Sequence, residues 1–202
     1  MKKLLLVSVI SCFSLTAWSA DIVLPEALKS GGKPLMSTLA ERRTVREFDK
    51  KELDKQTLSN LLWSAWGISS VDGKRTIPTA RNMQNLDVYV VLSDGTYLYD
   101  AQQNKLQEIT KTDIRPFIVG EQKFAMNAPV HLLFVAEKDS YGSGAMHAGS
   151  AYQNVGLFCT SAGLNQVVRG MINRDALHQA LNLPAEKQVL ISQAVGYPVL
   201  QD

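Results

Sequence analysis

Three arginines and a threonine stand within five residues, Arg42-Arg43-Thr44-Val45-Arg46. A guanidinium offers paired, coplanar N–H donors, which suit a phosphate, and a hydroxyl adds one more. A few dozen residues later, Pro78-Thr79-Ala80-Arg81-Asn82-Met83-Gln84 forms a compact polar turn with little bulk at Thr79 and Ala80. A flat ring could approach that backbone closely. Together the segments point to a phosphorylated, ring-bearing cofactor gripped at its two ends by different stretches of chain. Taken singly, either one also fits an ordinary solvated turn.

Other chemistries find little support. His131, His147 and His178 lack ligand spacing, so no metal site is expected. Cys12 and Cys159 are the two cysteines. Cys159 falls in an apolar helical pattern and reads as a small buried hydrophobe, not a nucleophile. Trp63 and Trp66 share one helical segment and read as packing residues.

Residues 1–20 have the pattern of a secretory signal: Lys2 and Lys3, an apolar stretch from Leu4 to Leu15, then Ala17-Trp18-Ser19 as a cleavage signal. Two alternatives stay open, a lipid-modification box at Val9-Ile10-Ser11-Cys12 and a retained anchor helix. A cleaved leader implies a periplasmic or secreted protein. The formal net charge is +2, and both leader lysines contribute to it; the other 19 Lys and Arg balance 19 Asp and Glu. That balance favours neither nucleic acid nor an anionic membrane as partner, and no membrane span is expected in the mature chain. Hydrophobic residues make up 46% of the chain, enough for a real core.

The elements that must position the two segments follow from periodicity. Residues 21–36, with Pro25, Gly31, Gly32 and Pro34, read as an extended arm. Ser37 can cap a short helix to Glu41, and Thr57 a longer one to Trp66, ended by Gly67. Residues 68–86 form a long polar loop carrying the Pro78–Gln84 turn. Val88–Leu92 and Thr96–Tyr99 read as a hairpin around Ser93-Asp94-Gly95. Residues 113–126 suggest one or two short helices. Val130–Ala136 is apolar enough for a strand buried on both faces. Ala145–Ala162 has helical periodicity and lies in a stretch, 140–168, without Asp, Glu, Lys or Arg, so most of its faces should be covered, a subunit interface included. Asn165–Met171 and Gln188–Val195 are further strand candidates, and Asn173 can cap a helix to Leu181.

In this order the segments resemble the nitroreductase family of flavin enzymes, near its branch of SagB-type dehydrogenases. Arg42-Arg43-Thr44-Val45-Arg46-Glu47-Phe48 is similar to the family's Arg-Arg-Ser-x-Arg-x-Phe, and Pro78–Gln84 to its Pro-Ser-Ala/Ser-x-Asn-x-Gln. Ala148–Leu157 with Ala162-Gly163-Leu164 is similar to its long core helix, and Gly196-Tyr197-Pro198 to its closing turn. The resemblance spans residues 37–198. It implies an α+β fold with a mixed, mainly antiparallel sheet flanked by helices, in an intertwined homodimer with FMN at the subunit interface. The implied organisation is a signal peptide over 1–20, an arm over 21–36 and an FMN-binding domain over 37–202.

By resemblance, Arg42, Arg43, Thr44 and Arg46 would hold the phosphate and ribityl end of FMN. Pro78, Thr79, Ala80 and Asn82 would lie along the isoalloxazine, across the interface, with Gln84 supporting their loop. The backbone around Arg169 and Gly170 would approach flavin N5. Many relatives have an acidic residue where Arg169 falls, and many continue past Gly-Tyr-Pro into a basic segment that is missing from Val199-Leu200-Gln201-Asp202. The implied activity is that of an exported FMN-dependent oxidoreductase, moving hydride between an unidentified donor and a small nitroaromatic- or quinone-like acceptor. No catalytic side chain is required, because the flavin carries the hydride. The alternative is a non-catalytic flavin-binding or partner-binding relative on the same dimer scaffold.

Overall fold

The structure, a computed structural model, describes residues 21–139 and 141–199. The signal-peptide reading of residues 1–20, with its alternative at Cys12, lies outside the described residues. The elements in chain order are β1 (Ile22–Val23), α1 (Leu35–Glu41), α2 (Lys55–Trp66), β2 (Leu86–Val91), β3 (Thr96–Asp100), β4 (Lys105–Thr110), α3 (Arg115–Val119), β5 (Val130–Glu137), α4 (Ser143–Ala162), β6 (Asn165–Arg169), α5 (Arg174–Ala180) and β7 (Lys187–Gly196). Single 3-10 turns occupy Ala80–Asn82 and Lys123–Asn127.

The seven strands form one sheet in the order β1-β4-β3-β2-β5-β7-β6. Each of the described pairings is antiparallel. Alternation along the central strands sorts their side chains to two faces. Val88, Val90, Leu132 and Phe134 meet α2 and α4 through Leu58, Leu61, Leu62, Ala148, Ala151 and Val155. Tyr89, Val91, Leu133 and Val135 meet Ile118 of α3 and Leu177 of α5. Helices therefore cover both faces of β5, which is why that strand reads as a continuous apolar run.

Four local readings are revised. α1 starts at Leu35 with Pro34 at its cap position, so Ser37 lies inside the helix and does not cap it. The cap of α2 is Asp54, not Thr57: its carboxylate accepts from the Thr57 N–H at 2.9 Å and the Thr57 hydroxyl at 2.7 Å. The extended arm belongs to the sheet, since Ile22 and Val23 pair with Leu106 and Lys105. A strand at Lys105–Thr110 continues the meander beyond the expected hairpin. Asp100 makes the intervening turn by accepting from the N–H groups of Gln102 and Gln103.

α4 begins over the end of β5. A Cβ at Gly144 would stand 2.6 Å from the Ala136 methyl, so only glycine permits that approach. Its far end is closed by Gly163 in the left-handed region at φ 70°. Cys159 on this helix is fully buried, and burial pushes its thiol pKa up.

His131 on β5 is fully buried and neither ring nitrogen has a hydrogen-bond partner. Desolvation, with the Arg169 and Arg115 charges nearby, lowers its pKa to about 3. The unfolded chain takes that proton near pH 6.5, so stability is complete above that pH and falls as the medium is acidified toward 3. The slope attributable to His131 approaches about 1.4 kcal/mol per pH unit between those limits. His131→Leu should flatten this part of the stability profile in urea titrations between pH 7 and 4; an unchanged slope would assign the acid sensitivity to other groups.

Candidate functional site

The arginine segment leaves α1 as extended chain and is clipped to β6 by Gln166 and, just past Arg46, by Asn165, whose amide donates to the Glu47 carbonyl at 2.8 Å. Gln166 accepts from the Val45 N–H at 3.0 Å through its carbonyl and donates its side-chain amide to the Arg43 carbonyl at 3.0 Å. Gln166 is itself held by Gln193 of β7, whose amide donates to Gln166 Oε1 at 2.9 Å. The segment runs past α4 at Gly156, where a Cβ would stand 3.5 Å from Arg42 Cδ and 3.6 Å from Gln166 Nε2. The missing side chain leaves a hollow of about 250 Å³ lined by Arg42, Thr44, Tyr152, Gln153, Gly156, Gln166 and Val168.

The four residues of the arginine motif separate here. Arg42 and Thr44 line the hollow. Arg43 turns its guanidinium back onto the Ala40 and Arg42 carbonyls, at 2.7 and 2.9 Å. Arg46 is exposed, two residues further along the strand-like segment.

The Pro78–Gln84 loop is bent more sharply than its composition indicates. Arg81, Asn82 and Gln84 have φ of 50°, 55° and 47°. Left-handed backbone costs a non-glycine residue on the order of 1 kcal/mol, so it persists where neighbours over-determine it. Both ends of the loop are tied. At one end the Ala80 N–H donates to His147 Nε2 of α4 at 2.8 Å. At the other, Arg75 Nε donates to Gln84 Oε1 at 2.8 Å while Arg75 Nη1 donates to the Trp66 carbonyl at 3.1 Å, satisfying an orphan acceptor at the end of α2. The Arg75 guanidinium also lies over the Trp66 ring, 4.6 Å from its centroid. Gln84 completes the tie by donating to the Gly73 carbonyl and Asn82 Oδ1. Pro78, Ala80 and Asn82 are exposed, and Thr79 is half-buried.

Arg169 closes β6 with its side chain turned inward. It donates to the Ile118 and Val119 carbonyls at 2.8 and 2.9 Å and to Gln122 Oε1 at 2.9 Å. Desolvation lowers its pKa. Gly170 follows directly and is exposed, beside a second hollow of about 510 Å³ between α3 and the β6–α5 loop. The Arg169 fork therefore fixes one wall of the space that Gly170 faces.

Among the described residues, the hollow that Arg42 and Thr44 line includes no residue of the Pro78–Gln84 loop. The loop is tied to α4 at His147, and Arg42 crosses the same helix nine residues later at Gly156, about 13 Å along its axis. Gln166, Gly156, Arg75 and His147 organise the two segments, yet sequence reading does not single them out for this. The one available signal was the pair of glycines, Gly149 and Gly156, within an otherwise regular helix. Among the described residues no group of three His, Cys, Asp or Glu side chains could hold a metal ion, and no helix is long and apolar enough to cross a membrane.

The chain is similar to known proteins over nearly all of the described residues. The model of the Nitroreductase family matches residues 39–197. The nitroreductase-family protein MJ1384 of Methanocaldococcus jannaschii is 28% identical over 167 residues, covering 74% of this chain and 84% of that protein. A crystal structure of a nitroreductase-family protein from Ralstonia eutropha JMP134 matches with a TM-score of 0.84 and 35% identity, covering 99% of this chain and 97% of that one. Nitroreductase A of Vibrio parahaemolyticus matches with a TM-score of 0.61 and 19% identity, a likeness of fold alone, over 83% of this chain and 69% of that one.

Proposed function

This chain belongs to the Nitroreductase family, and we propose that it is an exported, homodimeric, FMN-dependent oxidoreductase acting on a small nitroaromatic- or quinone-like acceptor. Family membership supports an oxidoreductase function of the flavin type. The observation that carries the finer reading is the hollow at Gly156, where Arg42 and Thr44 stand over a helical turn without a Cβ. Its donor set fits a phosphorylated group: a guanidinium and a hydroxyl, with the amides of Gln153 and Gln166 beside them. Bound FMN would supply hydride transfer.

Arg42 and Thr44 would hold the phosphate, and Gln166 would keep them in register. A hollow of about 250 Å³ suits a phosphate and part of a ribityl chain, not a whole flavin. The ring would then need a second surface, and the exposed Pro78–Asn82 turn of another copy offers one. The uncharged α4 supports the same arrangement, because Met146 and Gln153 are left exposed in the single chain. The exposed backbone at Gly170 would leave room for donor and acceptor to approach. Export is read from Lys2, Lys3 and the apolar stretch after them. NAD(P)H is scarce outside the cytoplasm, so the physiological donor would be another reductant.

Protein recovered from the periplasm of an expressing cell should be yellow, elute as a dimer, bleach with dithionite and regain its colour on adding a quinone or nitroaromatic. Colourless protein that ignores added FMN would remove the flavin assignment. Flavin that bleaches and is not reoxidised by either acceptor would leave a binding protein without turnover.

A further inference from the structure

We infer that His147 is a positioning residue for the Pro78–Gln84 loop, and that protonation of its ring releases the Ala80 end of that loop. The bond order is fixed by a donor that cannot reverse. The Ala80 backbone N–H points at His147 Nε2 from 2.8 Å, so Nε2 carries a lone pair and the ring proton sits on Nδ1. Nδ1–H then donates to Asn85 Oδ1 at 2.7 Å. The Asn85 amide donates to Ser143 Oγ at 3.4 Å, and the Ser143 hydroxyl donates to Asp139 Oδ2 at 2.7 Å. Every donor and acceptor from the loop backbone to the Asp139 carboxylate is thereby assigned.

A proton added at Nε2 sets N–H against N–H across the Ala80 contact and leaves the Nδ1 bond to Asn85 intact. The lost bond is the tie at the Ala80 end of the strained turn, while the Arg75–Gln84 tie at the other end stays in place. Ala80 from the loop and Asn85 just before β2 meet the ring without charge, and Ser143, one turn earlier on α4, is uncharged as well. The charge that acts on it, among the described residues, is Asp139 at the entrance to α4. Burial disfavours the imidazolium and Asp139 opposes that effect in part, so the ring takes its proton below the ordinary histidine range. His147 is 3% exposed, so the added charge is held away from bulk water. The consequence for the cofactor rests on the flavin reading; the behaviour of the loop does not.

The test is NMR on the full-length purified protein, without and then with FMN. Without FMN, His147 should show the Nδ1–H tautomer at pH 7.5. Protection of the Ala80 amide, referred to the unstructured exchange rate at each pH, should fall about tenfold or more between pH 7.5 and 4.5. The Leu133 amide of β5 serves as the control for global opening and should keep its protection. His147→Gln retains an acceptor that does not titrate, so it should keep Ala80 protected with no pH step. His147→Leu should lose the protection at every pH. An Nε2–H tautomer, a flat wild-type profile, or the same step in His147→Gln would overturn the inference. With FMN, wild-type affinity should weaken toward pH 5 and that of His147→Gln should not. Failure of FMN to bind at any pH, with the amide result intact, would remove the flavin reading and leave the positioning role standing.

Discussion

Arg42→Ala is expected to weaken FMN binding by about 10- to 100-fold while changing riboflavin binding by no more than about threefold. A charge-assisted hydrogen bond is worth about 1.5–3 kcal/mol, and riboflavin lacks the phosphate that would receive it. The Arg42 stem lies against Gly156 and its side chain lines the hollow, so truncation removes the cation without disturbing the Gln166 clip, which holds the backbone of Arg43 and Val45. Arg43→Ala provides the contrast. Its guanidinium is engaged by the Ala40 and Arg42 carbonyls, so it should affect FMN far less. Quenching of flavin fluorescence at two salt concentrations measures both, and the wild-type advantage for FMN over riboflavin should shrink as salt screens the phosphate. Equal losses for FMN and riboflavin would move the phosphate away from Arg42.

Arg169→Met should destabilise the fold by roughly 2–4 kcal/mol, measured by denaturant unfolding at pH 7. Arg169 is 3% exposed and, among the described residues, forms no ion pair with a carboxylate; its charge is met by carbonyl dipoles and the Gln122 amide oxygen. Methionine fills much of the space but leaves the buried Ile118 carbonyl without its donor. Lysine should not rescue the loss, since a single ammonium cannot reproduce the planar fork that reaches Ile118 and Val119 together. The change should also loosen α3 and the Lys123–Asn127 turn, and with them the wall of the hollow beside Gly170. Removing this cation takes away one of the charges that lower the His131 pKa, so acid sensitivity should decrease in the same variant. Unaltered stability would mean that the fork is not needed to hold α3.

Much of this molecule was legible from residue order alone, wherever local chemistry sufficed. The helix ending at Gly67, the long uncharged helix ending at Gly163, the Asn173 cap and the buried strand at Val130 each have a periodicity or a terminator within a few residues. The arginine cluster shows by residue type that paired donors are available, and no more than that. β4 did not stand out: Lys-Leu-Gln-Glu-Ile-Thr alternates without a dominant apolar face, and it is a strand because β3 lies beside it and β1 covers its other edge. The choice of Asp54 over Thr57 as cap turned on which side chain reaches which N–H.

The roles of His147, Gln166 and Gly156 depend on contacts between residues dozens of positions apart, and those of Arg75 on partners nine residues away on either side, so adjacent residues hold no trace of them. Ala80 meets His147 across 67 residues through a backbone N–H, which every residue but proline possesses. Arg42 and Arg43 are neighbours of the same type, yet one lines a hollow and the other folds back on α1. Composition and spacing determine which groups are available; burial and approach distance determine which of them remain free to meet a ligand.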